Sequence, residues 1–142
     1  MDSNARRFQL ATHTADVAVD VYGRDIPELL VHAADALNYI VLGRADIQPK
    51  QQRSVSLTSV DDDTLLIDWL NELIYMLDAE NLVFGQFEIQ HTTPGYAEIQ
   101  CHGEPVDPTR HRLERELKAA TYHGAHINKD SAGYIARVIF DV

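Results

Sequence analysis

The sequence is short of the features that mark an exported, membrane-spanning or nucleic-acid-binding chain. Cysteine occurs once in 142 residues, as Cys101, so no internal disulfide can form. No apolar run approaches the roughly 18 residues a bilayer span needs. Leu65-Leu66-Ile67, for example, stops at once on Asp68. The stretch Met1 to Arg7 leads into no signal-type apolar segment, so a cytoplasmic location is expected. Basic residues are few, 12 against 22 acidic, for a net charge of −10. Nucleic-acid binders normally carry a basic face that displaces phosphate counterions. Here the cations are scattered, and those from Arg110 to Lys118 alternate with Glu114 and Glu116, which reads as a solvated helix face. The composition favours a partner protein, a hard cation or a small molecule over direct nucleic-acid binding.

Catalytic signatures are missing too. The chain has no Walker-type phosphate loop, no GxGxxG after a strand, no HExxH, no CxxC and no GxSxG. Seven histidines (His13, His32, His91, His102, His111, His123 and His126) fall into no recognised metal-ligand spacing. Cys101, alone on an expected strand, reads as a small packed hydrophobe.

What is present is an ordinary globular composition, 45% apolar and 24% charged, which excludes disordered, collagen-like and coiled-coil classes. The length suits one domain spanning 1–142. No composition shift divides it, and the polar patch from Gln48 to Arg53 reads as a loop.

Periodicity orders the elements. A short first strand is expected over 6–11. Residues 16–22 alternate, with Val17, Val19 and Val21 on one side and Asp16, Ala18 and Asp20 on the other, as a half-buried strand does. Asp25 is an N-cap candidate with Glu28 three residues on and Pro27 in the first turn. Ile26, Leu29, Leu30, Ala33, Ala34, Leu37, Ile40 and Val41 follow at helical spacing, and Gly43 stands where the helix should end. A strand is expected over 54–60. Asp61-Asp62-Asp63 then caps a second helix with Leu65, Leu66, Trp69, Leu70, Leu73, Ile74 and Leu77 on its apolar side and Asn81 at its stop. A hairpin is expected from 82–91 and 95–101. Asp107-Pro108 predicts a third helix running to about Ala120, and a last strand pair is expected over 122–128 and 133–141. Hairpins dominate and the helices are too few to cover both faces. The expected fold is therefore α+β: a two-layer sandwich of an antiparallel or mixed sheet with helices mainly on one face.

Two segments stand out as chemistry. His13-Thr14-Ala15-Asp16 makes a tight polar connection, and Phe140-Asp141-Val142 ends the sequence given. Clustered carboxyl oxygens suit a hard cation such as Ca²⁺ or Mg²⁺. If the last strand runs beside the second, Asp16 and Asp141 could converge on one ion, although an Asp at a strand end is usually a solvated turn residue. Asp68 and Glu72, at i and i+4, read as an exposed polar stripe or as ligands. Lys118, Tyr122 and His123 read as phosphate contacts or as a helix-end cation and a half-exposed strand.

Four stretches in order carry a resemblance. They are His13-Thr14-Ala15-Asp16-Val17 with Val21-Tyr22-Gly23; Leu66 through Tyr75, reading LIDWLNELIY; Leu117-Lys118-Ala119-Ala120-Thr121-Tyr122-His123-Gly124; and Phe140-Asp141-Val142. Together the sequence resembles the archease family from near residue 8 onward. The resemblance implies an α+β fold built around a strand-helix-strand-strand module. It implies an activator, not itself an enzyme, of the GTP-dependent RtcB-type RNA ligase that joins tRNA halves. The activator speeds formation of the ligase's guanylylated histidine and allows repeated turnover, and meets tRNA only indirectly. It further implies a divalent metal, Ca²⁺ foremost with Mg²⁺ or Mn²⁺ as substitutes, held by Asp16, Asp141 and main-chain oxygen of Val142. His13, Lys118 and His123 are possible further contacts. A metal-dependent phosphoester hydrolase and a small-ligand-binding module are the competing functions.

Overall fold

Alternation and capping work out locally much as the residue pattern dictates. The computed structural model describes residues 7–11 and 16–142. Strands β1 (Phe8–Ala11) and β2 (Val17–Gly23) lead into helix α1 (Ile26–Leu42). Asp25 caps it, its carboxylate accepting from the Glu28 amide, and Gly43 ends it at φ +68°, where a side chain would be strained. Strand β3 (Gln51–Thr58), helix α2 (Asp62–Glu80), and strands β4 (Leu82–Thr93) and β5 (Tyr96–Pro105) form the expected strand-helix-strand-strand module. Asp61 caps α2 through the Thr64 amide, and Asn81 closes it in the left-handed region at φ 57°. Strands β6 (Ala119–Ala120), β7 (Ile127–Asp130) and β8 (Gly133–Asp141) complete the chain.

The strands make two sheets, with every pairing antiparallel. One runs β1-β2-β8-β6, with β7 also on β8; the other runs β3-β5-β4. β2 occupies one edge of β8. The other edge is shared, β7 meeting its start at Gly133 to Ala136 and β6 meeting its end at Phe140 and Asp141. Both helices face the apolar sides of these sheets, and buried residues of all of them form one core. Trp69 is fully buried at its centre. Its indole N–H donates to the Leu30 carbonyl of α1 at 2.9 Å, and its ring meets Phe87 of β4 edge-on at 5.5 Å. At Gly103 a Cβ would stand 1.9 Å from the Val83 carbonyl, so the irregular β4–β5 pairing between Phe84 and Gln86 requires glycine.

Three expectations are corrected. The third helix does not form. Asp107 organises one turn only, its carbonyl accepting from the Arg110 and His111 amides at 2.9 and 2.6 Å. The chain then crosses to α1, where the Glu114 amide donates to the Val41 carbonyl at 2.6 Å. Leu113 and Leu117 are too sparse an apolar stripe to hold a helix, and Leu113 is exposed; satisfying the last carbonyls of α1 prevails. The cations of 110–118 are thus not a helix face. Second, Gln51, Gln52 and Arg53 belong to β3, Arg53 pairing Cys101 and reaching Glu80 at 2.5 Å. Third, the strand expected over 122–128 is a turn as far as His126, with Gly124 at φ +70°. The expected α+β class holds, and its strands divide between two antiparallel sheets.

Candidate metal-binding edge

The β2–β8 register determines what faces what. Val17 pairs Phe140, Ala18 pairs Ile139, Val19 pairs Val138 and Asp20 pairs Arg137. Side chains alternate faces along a strand. Val19, Val21, Val138 and Phe140 therefore point into the core and are buried, and Asp20 and Arg137 share the opposite face. There Arg137 holds Asp20 through two hydrogen bonds, at 2.7 and 2.9 Å. Asp16 directly precedes Val17 and Asp141 directly follows Phe140, so the two acids flank the last pair of this ladder. Asp16 is half-buried and Asp141 exposed; Val142 is 42% exposed beside it.

Like charges directly opposite across an antiparallel pair repel. Along one face the sheet thus matches an acid to a base at Asp20–Arg137 and an apolar pair at Ala18–Ile139, and beyond its last pair stand two acids, Asp16 and Asp141. With main-chain oxygen of Val142 they offer hard oxygen donors only, the chemistry that suits Ca²⁺ or Mg²⁺. Among the described residues no group of three or more His, Cys, Asp and Glu side chains gathers as a metal cluster; the expected donor set has two carboxylates.

The other expected contacts divide. The Lys118 amide donates to the Asp141 carbonyl at 2.9 Å, so Lys118 stands at this edge. His123 is exposed in the β6–β7 turn, and among the described residues no hydrogen bond or ion pair ties it to Asp141. His13 lies outside the described residues.

Several polar residues beside the edge have structural partners. Asp68 accepts from Ser59 Oγ at 2.6 Å and from Tyr122 Oη at 2.5 Å; its hydrogen bond, then burial, raises the Tyr122 phenol. Asp61 caps α2, while Asp62 accepts from the Gly95 amide and Asp63 from the Ile127 amide. Sequence reasoning missed Asn71, whose side chain both accepts from the Ala120 N–H at 2.8 Å and donates to the Ala120 carbonyl at 3.0 Å. Its only signal was a place inside the LIDWLNELIY stretch.

It also missed Glu104, 1% exposed. Arg110 donates to it at 2.5 and 3.0 Å, the Gln48 amide at 2.6 Å, and His111 Nε2 stands 3.2 Å away. The Arg110 hydrogen bonds, opposed by burial and helped by the Gln48 amide, hold the carboxyl down at about 2. His111 Nδ1 accepts from the Asp107 amide at 2.8 Å. This cluster anchors the irregular 106–118 segment. Cys101 is a packed hydrophobe as expected: burial foremost, then the charge of Glu72, pushes its thiol up to about 12.

Comparison with known proteins gives this arrangement a family. The archease protein family profile matches residues 8–142. Protein archease of Methanosarcina mazei is 31% identical, with both chains covered in full. Protein archease of Pyrococcus abyssi is 33% identical over 96% of this chain and 99% of its own. The solution structure of Methanobacterium thermoautotrophicum protein 1598 superposes with a TM-score of 0.80 at 28% identity, over 96% of this chain and 99% of that one. A crystal structure from Thermotoga maritima, described as an archease and possible chaperone, shares the fold at TM-score 0.67 and 19% identity, over 92% and 93% of the two chains. The family profile spans nearly the whole sequence, full-length relatives stand near one-third identity, and the two-sheet fold is common to both solved structures: the chain belongs to the archease family.

Proposed function

We propose that this protein activates an RtcB-type, GTP-dependent RNA ligase in tRNA splicing, acting in the cytoplasm and having no catalytic cycle of its own. The observation that supports this reading best is the end of the β2–β8 ladder, where two like charges, Asp16 and Asp141, flank the last pair, Val17–Phe140. Membership of the archease family supports the choice of partner class. Asp16, Asp141 and main-chain oxygen of Val142 hold a divalent ion, calcium foremost, with magnesium or manganese able to substitute. When bound, the ion supplies charge stabilisation and a template for phosphate oxygens.

The chain's own residues do the rest. Asp16 and Asp141 leave the edge strongly negative, which orients it toward a basic rim on a ligase that must itself grip RNA. The net charge of −10 raises the encounter rate with such a surface. Contact with tRNA is indirect, through the ligase. The result is faster guanylylation of the ligase's histidine and repeated turnover.

The test is ligase guanylylation and product per ligase molecule, measured with the parent protein, Asp16→Ala and Asp141→Ala. Both variants are expected to lose activation. Full activation by both removes the role of the edge. Hydrolysis of generic phosphoesters by the purified protein with Mg²⁺ would instead support the hydrolase reading.

A further inference from the structure

The last residues of β8 are held unequally. The β2–β8 ladder ends at Val17 and Phe140, while β6 extends the pairing one residue further, to Asp141. β6 is only two residues long, too short to be stable on pairing with one neighbour. Beyond its own pairing with β8, its flanks add bonds: the Lys118 amide donates to the Asp141 carbonyl and the Thr121 amide to the Ile139 carbonyl, both at 2.9 Å. The N–H and carbonyl of Ala120 are taken instead by the side-chain amide of Asn71, from helix α2. Asn71 thus serves β6 as a neighbouring strand would, one donor and one acceptor on the same residue. A second tie from α2, Asp68 to Tyr122 Oη, fixes the chain just beyond. On the other side, the 106–118 segment is anchored at Glu104 and at Val41, far along the chain from Ala120.

From this we infer that Asn71 is a positioning residue for the acidic edge: through Ala120 it seats β6, and β6 sets the Asp141 main chain, and with it the Asp141 carboxylate, at the end of the ladder that Asp16 also flanks. The inference deepens the metal-edge reading and rests on it. Asn71 touches neither the cation nor the ligase. It acts at one remove, by keeping Asp141 from fraying as strand ends do.

Asn71→Ala and Asn71→Asp test it. Aspartate matches asparagine in size and keeps an acceptor for the Ala120 N–H, but it turns the donor into an oxygen that faces the Ala120 carbonyl. If Asn71 only fills space, the Asp variant behaves like the parent. If the paired hydrogen bonds seat β6, both variants fail alike. Three measurements separate the cases. Amide exchange at Lys118 and Thr121 is expected to quicken about tenfold in both variants, the size expected for losing hydrogen bonds of this kind, while Val19 and Val138 in the central strands keep their protection. A calcium titration followed on the Asp16 and Asp141 resonances is expected to show about tenfold weaker binding. The maximal ligase guanylylation rate is expected to fall while the half-activating protein concentration stays put. Exchange at Lys118 and calcium affinity unchanged in Asn71→Ala, or an Asp variant equal to the parent in both, overturns the inference. If Asn71→Ala does not fold, the Asp variant alone decides between the two outcomes. A parent protein that binds calcium yet leaves the ligase unaffected ends the ligase reading only; the titration still judges Asn71.

Discussion

Arg137 grips Asp20 with two hydrogen bonds, and four residues along each strand Asp16 and Asp141 flank the end of the same ladder. Asp20 is neutralised within the sheet, while among the described residues no ion pair neutralises Asp16 or Asp141. The uncompensated pair should cost stability until a cation arrives. Cross-strand pairs are worth about 0.2–1 kcal/mol. Asp141→Asn is therefore expected to melt slightly higher than the parent in a chelator, and to gain nothing from added calcium. The parent should gain about 2.7 kcal/mol at a calcium concentration one hundred times its dissociation constant. Thermal melts with and without chelator check both halves; equal calcium stabilisation of parent and variant would sink the assignment.

Glu104 should make the fold sensitive to acid. Its carboxyl is held at about 2 against an ordinary 4.5. A depressed value means that the contribution is fully present above pH 4.5 and is lost as the pH falls from there toward 2. Glu104→Gln is expected to lower the urea midpoint at pH 7, and the gap between parent and variant should shrink by pH 3. A gap that is constant across this range would show that the carboxylate charge contributes nothing.

Trp69 is the sole tryptophan and joins α1 to β4 through Leu30 and Phe87. Trp69→Phe removes the indole hydrogen bond, leaving the Leu30 carbonyl one partner fewer, at about 1 kcal/mol, together with part of the buried apolar surface. We expect a total loss of about 1–3 kcal/mol, read from denaturant midpoints by circular dichroism.

Cys101 provides a probe of global opening. It is fully buried and its thiol is pushed up to about 12, and the thiolate is the reactive form. A thiol reagent at pH 8 should label it only at the rate of unfolding, and labelling should slow when calcium stabilises the fold. Rapid labelling of the native protein would mean that the β3–β5–β4 sheet opens locally.

Where structure is set by near neighbours, the sequence could be read directly. The alternation of 16–22, the caps Asp25 and Asp61, and the stops at Gly43 and Asn81 each depend on residues within a turn or two, and each formed. The 107–120 segment could not be read this way. Its course is decided by Val41 and Asn71, both distant in sequence, and by a buried Glu104 that also takes the Gln48 amide, and its Asp-Pro start was spent on a single turn. The split into two sheets was hidden for the same reason, since pairings such as β2 with β8 join opposite ends of the chain. The acidic edge was visible only conditionally: Asp16 and Asp141 were candidates, but the register that brings them to one end of the β2–β8 ladder is a long-range fact. Asn71 had no chemical signature at all, because an asparagine that substitutes for a strand neighbour looks like any polar helix residue.

The divided edge of β8 has a further consequence, for solubility. β8 reads YIARVIF through its middle, a segment with the β-branched, apolar character that can recruit like strands from other molecules. β7 and β6 each cover one end of its outer edge, and the turn between them passes alongside. A foreign strand would have to displace both short strands to extend the sheet. Loosening either one should therefore show up first as self-association on standing, before any loss of secondary structure.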